Sequence, residues 1–349
     1  MSTLLRWAGR LLLALLLVAI ALLSPVAYVE LACRGTPVAD GYEPILPPEH
    51  RRPESATLLT YPEWHIVHAY EDYAEVIRTG DPQDFGYLSA IGGFWSSYCA
   101  LSRATAAHGG ADRDYRTMVD VIGVSFTAEL LLKAGYEETL GRIATWVRGE
   151  GRTPLDGLSA RQAADYAAFL QQVPWYRWDF LRSATELDDA ATAAFRDRER
   201  DLALGLEYRA KAAYAQAIAA AVAATGNDEL TMRSIVAGLS PEDLGRIEGV
   251  TVIGERPEGI EIETPRYAAF TEVARTLATQ GADFVEIAGN DDILVTSIAA
   301  SPPPDGPTVI AALPRQGSPG VRLLRLVEVT DLAQVLRDDG PIVEHIHDY

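Results

Sequence analysis

The sequence predicts an α+β protein with three parts: an N-terminal transmembrane helix, a mainly helical domain, and a two-layer α+β domain that resembles a ferredoxin-like sheet. Three observations carry this prediction. Residues 11–29 hold no charge, apolar residues recur with helical spacing through 60–245, and short β-branched runs between turn residues fill 246–349.

The uncharged run 11–29 is long enough to cross a membrane, because 19 helical residues rise about 28 Å. Arg6 and Arg10 lie before it in the basic segment 1–10, and Glu30 follows it. Positive charge favours the cytoplasmic side. We therefore expect a single-pass protein with a cytoplasmic N-terminus and an extracytoplasmic body, and the lipid bilayer as its first partner.

Two other interpretations of this N-terminus stay open: a cleaved signal peptide and a lipoprotein attached through Cys33. Pro25-Val26-Ala27 is a poor cleavage site, and Glu30 stands where lipoprotein sites have an aliphatic residue. The arginine-rich and alanine-rich composition, with only two lysines, is typical of a high-GC bacterial genome. The expected location is therefore the bacterial inner membrane, with the body in the periplasm.

The formal net charge of −19 excludes nucleic acid as a partner, because phosphate binding requires a basic surface. The chain has two cysteines, Cys33 and Cys99. In an exported protein such a pair predicts a disulfide that ties the body to the end of the anchor. The alternative is that Cys99 is a buried core residue and Cys33 has no role.

Residues 30–59 are rich in proline and predict a linker that holds the body off the bilayer. The helical domain then begins with Thr60-Tyr-Pro-Glu63, which resembles a capping box, and its first helix should end at Gly80. Helices are also expected over 85–101, 114–134, 136–148, 160–173 and 190–224.

The last domain reads as a series of short strands with two helices. Gly-Asn-Asp-Asp292 between two strands predicts a β-hairpin. The expected strands are 250–253, 259–263, 283–288, 293–298, 308–312, 321–329 and 342–347, and the expected helices are 265–280 and 330–338.

Two histidine motifs are the main candidates for chemistry. His65, His68 and Asp72 are spaced to share one helix face, and His345 and His347 alternate along the last strand. Imidazole and carboxylate ligands can bind a divalent metal such as zinc. If the last strand packs beside the first helix, the five side chains form one metal site. The alternative is that these histidines serve packing or surface roles.

Known catalytic templates are missing from the sequence: there is no G-x-S-x-G elbow, no glycine-rich phosphate loop and no C-x-x-C motif. The leading interpretation is a membrane-anchored module that binds or scaffolds a protein partner or apolar ligand. One alternative is a metal-dependent, hydrolase-like enzyme that uses the histidines. Another is binding of a lipid or apolar small molecule between helices 85–101 and 114–134.

Overall fold

The computed structural model describes residues 3–39, 41–52, 57–225, 230–301, 309–338 and 342–347. The chain folds into helices followed by two antiparallel four-stranded sheets, which confirms the α+β class.

Helix α1 (Thr3–Ala32) contains the predicted transmembrane segment. Within the described chain, its window Arg6–Ala32 is the one helix long and apolar enough to span a membrane. Only its last turns contact the body, where Val29 and Cys33 are fully buried. The structure joins Cys33 to Cys99 by a disulfide. Most of the apolar surface of α1 is therefore exposed, and its C-terminal end is fixed to the body by the disulfide.

The predicted linker is not a free spacer, because the segment after α1 packs on the body. Val38 donates its backbone N–H to the carbonyl of Ala106 at 2.7 Å, and Leu46 donates to the Glu286 carboxylate at 2.8 Å. The Leu46 side chain is fully buried. Backbone hydrogen bonds and apolar anchors thus hold this proline-rich segment on the body; positions 40 and 53–56 of it lie outside the described residues.

The helical domain is built from α2 (Tyr61–Thr79), α3 (Tyr87–Ala104), α4 (Arg113–Tyr136), α5 (Arg142–Arg148), α6 (Pro154–Leu170), α7 (Phe180–Ala190) and α8 (Phe195–Thr225). A π-helical turn, Glu137–Gly141, joins α4 to α5. Gly80 ends α2 as predicted. The predicted capping box at Thr60 is wrong, because the Thr60 hydroxyl instead contacts the Thr57 carbonyl and the His347 ring.

The first sheet has the order β2-β3-β1-β4 and the second β6-β7-β5-β8. The strands are β1 (Thr231–Ala237), β2 (Thr251–Arg256), β3 (Gly259–Pro265), β4 (Asp283–Ile287), β5 (Asp292–Ala299), β6 (Val309–Pro314), β7 (Val321–Glu328) and β8 (Ile342–His347). Three short or medium helices accompany them: α9 (Pro241–Leu244), α10 (Ala268–Gln280) and α11 (Leu332–Arg337).

The structure differs from two sequence predictions here. Strand β1 lies inside the range 60–245 that was predicted as a mainly helical domain, and its central place in the sheet depends on long-range pairing with β3 and β4. The predicted hairpin between β4 and β5 is reduced to an isolated antiparallel bridge between Ile287 and Asn290, because the two strands belong to different sheets. Ala288 and Gly289 adopt positive φ angles of 52° and 88°, and the chain passes from the first sheet to the second, where β5 pairs with β7 and β8.

The second sheet packs on the helical domain and thereby positions the predicted site residues. Leu294, Leu313 and Leu324 from its strands share one apolar core with aromatic residues of α2 and α3. The other faces of the second sheet, the first sheet, α10 and α11 share a second apolar core. Helix α2 is consequently enclosed between other helices on one side and strands β7 and β8 on the other.

Candidate functional site

The structure brings the two histidine motifs next to each other. The Trp64 ring of α2 stacks on the His345 ring of β8, with 3.4 Å between ring centroids, and the Tyr61 ring meets the His347 ring edge-on at 5.7 Å. The last strand therefore packs beside the first helix of the body, which is the condition that the sequence-based metal prediction required.

Three of the four histidines nevertheless contact backbone carbonyl or hydroxyl groups of the protein. His65 faces α3, where its Nε2 lies 2.8 Å from the Ala90 carbonyl and its ring fills the space that a side chain at Gly93 would need. His347 contacts the hydroxyls of Thr60 and Thr296 at 3.2 and 2.6 Å. His345 lies 3.3 Å from the Thr271 hydroxyl. All of these rings are buried.

Burial sets the protonation of these rings. It lowers the pKa of His65 to about 4, and it lowers the pKa of His345 and of His347 well below the ordinary value. Desolvation disfavours the charged imidazolium in each case, and neighbouring histidines add repulsion. The three rings are therefore neutral near pH 7.

His68 belongs to a different group, which we call the ionic cluster: His68, Glu71, Asp72, Arg322 and Glu344. Arg322 makes a bidentate contact with Glu344, at 2.5 and 2.8 Å, and lies 3.5 Å from Glu71 and 3.9 Å from Asp72. His68 places Nδ1 2.8 Å from Glu71 and Nε2 3.7 Å from Glu344. Three carboxylates thus surround one guanidinium and one imidazole.

The carboxylates of the ionic cluster differ in their pKa values. Burial raises the pKa of Asp72 to about 6, against the opposing influence of Arg322 and the Gln316 N–H. Burial also disfavours charge on Glu344 and Glu71. The positive groups of His68 and Arg322 outweigh the effect of burial on Glu344 and lower its pKa to about 2. The contact with His68 keeps the pKa of Glu71 below its usual range. Asp72 is therefore the carboxyl of this group that takes up a proton most easily.

Of the five predicted metal ligands, the structure places only His68 in a compact ligand set. Among the described residues, His68, Glu71 and Glu344 have potential ligand atoms within 4.8 Å of one another. The adjoining cavity measures about 20 Å³, which is room for about one water molecule. The five-residue site stays a prediction. The predicted ligand set did not include Glu71 or Glu344, and Arg322 was not predicted; Glu71 and Glu344 neighbour predicted ligands, whereas no local pattern marks Arg322.

A second region of interest lies where α1 meets α3 and α4; we call it the exit cavity. Its volume is about 610 Å³. Its walls carry charged and hydroxyl groups together with small residues of the segment after α1: Glu30, Arg34, Gly35, Pro37, Ser102, Thr105, Ala106, Gly110, Ala111, Arg113, Arg116, Thr117 and Asp120. The disulfide at Cys99 lies one helical turn before Ser102.

Polar groups of the exit cavity are only partly satisfied. Arg116 is buried and donates to the Glu30 carboxylate at 2.9 and 2.6 Å. The buried atoms Ser102 Oγ and Asp120 Oδ1 have no hydrogen-bond partner in the part of the chain that the structure describes. Because a buried polar atom without a partner is costly, these two atoms indicate a place where a ligand or water supplies the missing bonds.

No protein-family model, curated protein or solved structure matches this chain. The ionic cluster and the exit cavity are therefore the features of the described structure that bear on function.

Proposed function

We propose that the chain is a membrane-anchored, extracytoplasmic binding module whose ligand occupies the exit cavity. One observation carries this proposal: a cavity of about 610 Å³ is lined by Ser102 and Asp120, each of which has a buried polar atom without a hydrogen-bond partner among the described residues. That volume falls in the range of small-molecule sites, where a few placed polar groups determine what binds. The ligand class is polar or charged, because arginine, carboxylate and hydroxyl groups line the cavity.

The proposed topology is a single-pass protein of the bacterial inner membrane, with its N-terminus in the cytoplasm. Arg6 and Arg10 at the start of α1 support this orientation through the excess of basic residues on the cytoplasmic side. The disulfide between Cys33 and Cys99 fits an oxidising compartment outside the cytoplasm. For the sheet domain we propose two consecutive ferredoxin-like units, since both sheets repeat one strand order with the connectivity of a split β-α-β motif.

The binding function is favoured over catalysis by the histidines because of the space available to each region. The cavity beside the ionic cluster has room for about one water molecule, which leaves no space for a substrate. The exit cavity has that space, and its lining includes no histidine, cysteine or lysine. Its chemistry is that of recognition by charge and hydrogen bonding.

The test is to fill the cavity. Thr117 lines it from the exposed side of α4, so Thr117→Trp should occupy the space without disturbing the core. Met118→Trp, at the next and also exposed position outside the lining, is the matched control. Full-length protein is extracted in mild detergent and examined by native mass spectrometry. We expect a bound small molecule on the wild type and on M118W and none on T117W; retention by T117W would refute the site.

A metal function is the second candidate, and one observation favours it: His68 Nε2 is buried without a hydrogen-bond partner in the described structure, beside Glu344. His68, Glu71 and Glu344 would hold the ion, which would compete with Arg322 for Glu344. Metal analysis of the full-length protein after zinc loading tests this. One equivalent of zinc that is lost in His68→Gln and kept in His65→Gln supports it, and the absence of stoichiometric zinc removes it.

A further inference from the structure

We propose that the exit cavity binds the phosphoethanolamine headgroup of a membrane phospholipid. This inference rests on the proposed function, because it names the chemistry of the ligand that the cavity holds. Its support comes from three features of the walls: a set of arginines, an unpartnered carboxylate oxygen, and the position of the cavity at the end of α1.

The arginines supply the phosphate half of the site. Arg34, Arg113 and Arg116 line the cavity, and guanidinium groups bind phosphate through paired, charge-assisted hydrogen bonds. Arg116 is buried and oriented by Glu30, so it is a fixed wall group. Arg113 is exposed and makes no ion pair with any described residue, which leaves its guanidinium available for a ligand.

Asp120 supplies the amine half. Its Oδ1 is buried and has no hydrogen-bond partner among the described residues, and the same holds for Ser102 Oγ on the facing helix. A primary ammonium group has three N–H donors and one positive charge, which are the groups that a carboxylate and a hydroxyl can bind. A quaternary ammonium has no N–H donor, and a glycerol headgroup brings no positive charge. The carboxylate therefore selects for ethanolamine over choline or glycerol.

The cavity also lies where a lipid headgroup would be. Glu30 and Arg34, at and just beyond the end of α1, form part of its wall. The apolar shaft of α1 leads directly to them, with Leu23 exposed and Val26 partly buried against the body core. Charged and polar groups at the end of a membrane-spanning helix lie at the headgroup level. A phospholipid could place its headgroup in the cavity and its acyl chains along α1.

The charges of the walls agree with a zwitterion. Three arginines face two carboxylates, Glu30 and Asp120. Glu30 already pairs with Arg116 and Arg34. A phosphate near Arg113 would pair that guanidinium, and an amine near Asp120 would add a positive partner to a carboxylate that already has a hydrogen bond from Tyr98.

The experiment uses full-length protein in nanodiscs that contain equal amounts of phosphatidylethanolamine, phosphatidylglycerol and phosphatidylcholine, followed by native mass spectrometry of the released complex. We expect preferential retention of phosphatidylethanolamine. Arg113→Gln should weaken retention of all three lipids about tenfold, as expected for loss of one charged hydrogen bond. Asp120→Asn should instead remove the preference for ethanolamine over choline. Arg161→Gln and Asp114→Asn, exposed changes outside the cavity lining, are the controls and should match the wild type.

A second arm separates a lipid from a soluble ligand. Delipidated protein in detergent is incubated with glycerophosphoethanolamine; binding as tight as that of the lipid would overturn the assignment to a membrane source. Equal retention of the three lipids by the wild type would overturn the phosphoethanolamine assignment. A different adduct that T117W removes would refute the lipid inference and leave the binding function standing. No adduct on any variant would refute both.

Discussion

The ionic cluster and the exit cavity are both polar regions at the junction of separate elements, yet they are built in opposite ways. In the ionic cluster, Arg322 is bound by three carboxylates and the adjoining space is about 20 Å³. In the exit cavity, the space is about 610 Å³, and the lining residues Ser102 and Asp120 each have a buried atom without a partner in the described structure.

This difference between the two regions shows that charged residues inside a protein are not in themselves a functional site. A closed cluster in which each charge has a protein partner positions one domain on another. An open cavity with unsatisfied donors and acceptors leaves bonds for a ligand to make. Four predictions test this division, beginning with the largest expected effect.

Removal of the Arg322 charge should be the most damaging change. Arg322→Met leaves three carboxylates in a mostly buried region without their counter-ion, and breaking a buried ion pair from one side costs about 3–5 kcal/mol. Arg325→Met on the same strand is the control, because Arg325 is only partly buried, and should cost less than about 1 kcal/mol. Urea unfolding in detergent measures both. Equal effects of the two variants would show that the cluster does not hold the domains together.

Loss of the disulfide should rank second. Cys33 and Cys99 are 66 positions apart, and a crosslink that closes a loop of this length stabilises by about 4 kcal/mol in the chain-entropy description. Cys33→Ala with Cys99→Ala should lower the thermal midpoint and release the end of α1 from the body. The wild type under reducing conditions should reproduce this shift, and the double variant should not respond to reductant. An unchanged thermal midpoint would show that the disulfide does not stabilise the folded protein.

Acid should destabilise the protein through its neutral histidines. The pKa of His65 is about 4 in the folded state and 6.5 in the unfolded chain, so its contribution is present above pH 6.5 and lost as pH falls toward 4. The difference corresponds to about 3 kcal/mol. His345 and His347 act in the same direction.

Asp72 opposes this trend, because its folded pKa of about 6 lies above the ordinary 3.8 and its protonation favours the folded state as pH falls. Unfolding free energies at pH 7 and pH 4.5 should therefore differ less for His65→Gln, and more for Asp72→Asn, than for the wild type. A pH dependence that neither variant alters would contradict the assigned protonation states.

The smallest changes in the free energy of unfolding should distinguish a hydroxyl that has a hydrogen-bond partner from one that has none. Thr296→Val removes the 2.6 Å partner of His347 Nε2 and should cost about 1–3 kcal/mol, because the buried ring nitrogen is left unpaired. Ser102→Ala removes a buried hydroxyl that has no partner in the described chain. It should change the free energy of unfolding of the delipidated protein by less than about 0.5 kcal/mol. A large loss in S102A would show that Ser102 already has a structural bond.

Much of the local structure could be predicted from the sequence. The span of α2 followed from its apolar spacing and from Gly80, and the strands β2 to β8 from β-branched runs between turn residues. The turn after β4 shows the limit of such patterns. Gly289 and its neighbours have hairpin composition, but the pairing of β4 with β1 and of β5 with β7 depends on strands elsewhere in the chain.

The candidate sites were likewise only partly predictable from the sequence. A metal site made of the HxxH and HxH motifs required α2 and β8 to meet, and the structure brings the two elements together. The sequence could not show that Thr271 and Thr296 would contact the strand histidines, nor that Arg322 would lie among the carboxylates. These partners lie tens to hundreds of positions away, and no short-range pattern encodes their approach.

The features that depend on neighbouring residues could be predicted from the sequence: an uncharged segment long enough for a bilayer, most of the helices and strands, and one pair of cysteines available to each other. Which buried charges have protein partners and which polar residues line an open cavity depends on the tertiary structure. The ionic cluster closes because β7 and β8 pack on α2, and the exit cavity stays open because α1 meets α3 and α4 only at its last turns. Both outcomes depend on how distant surfaces fit together.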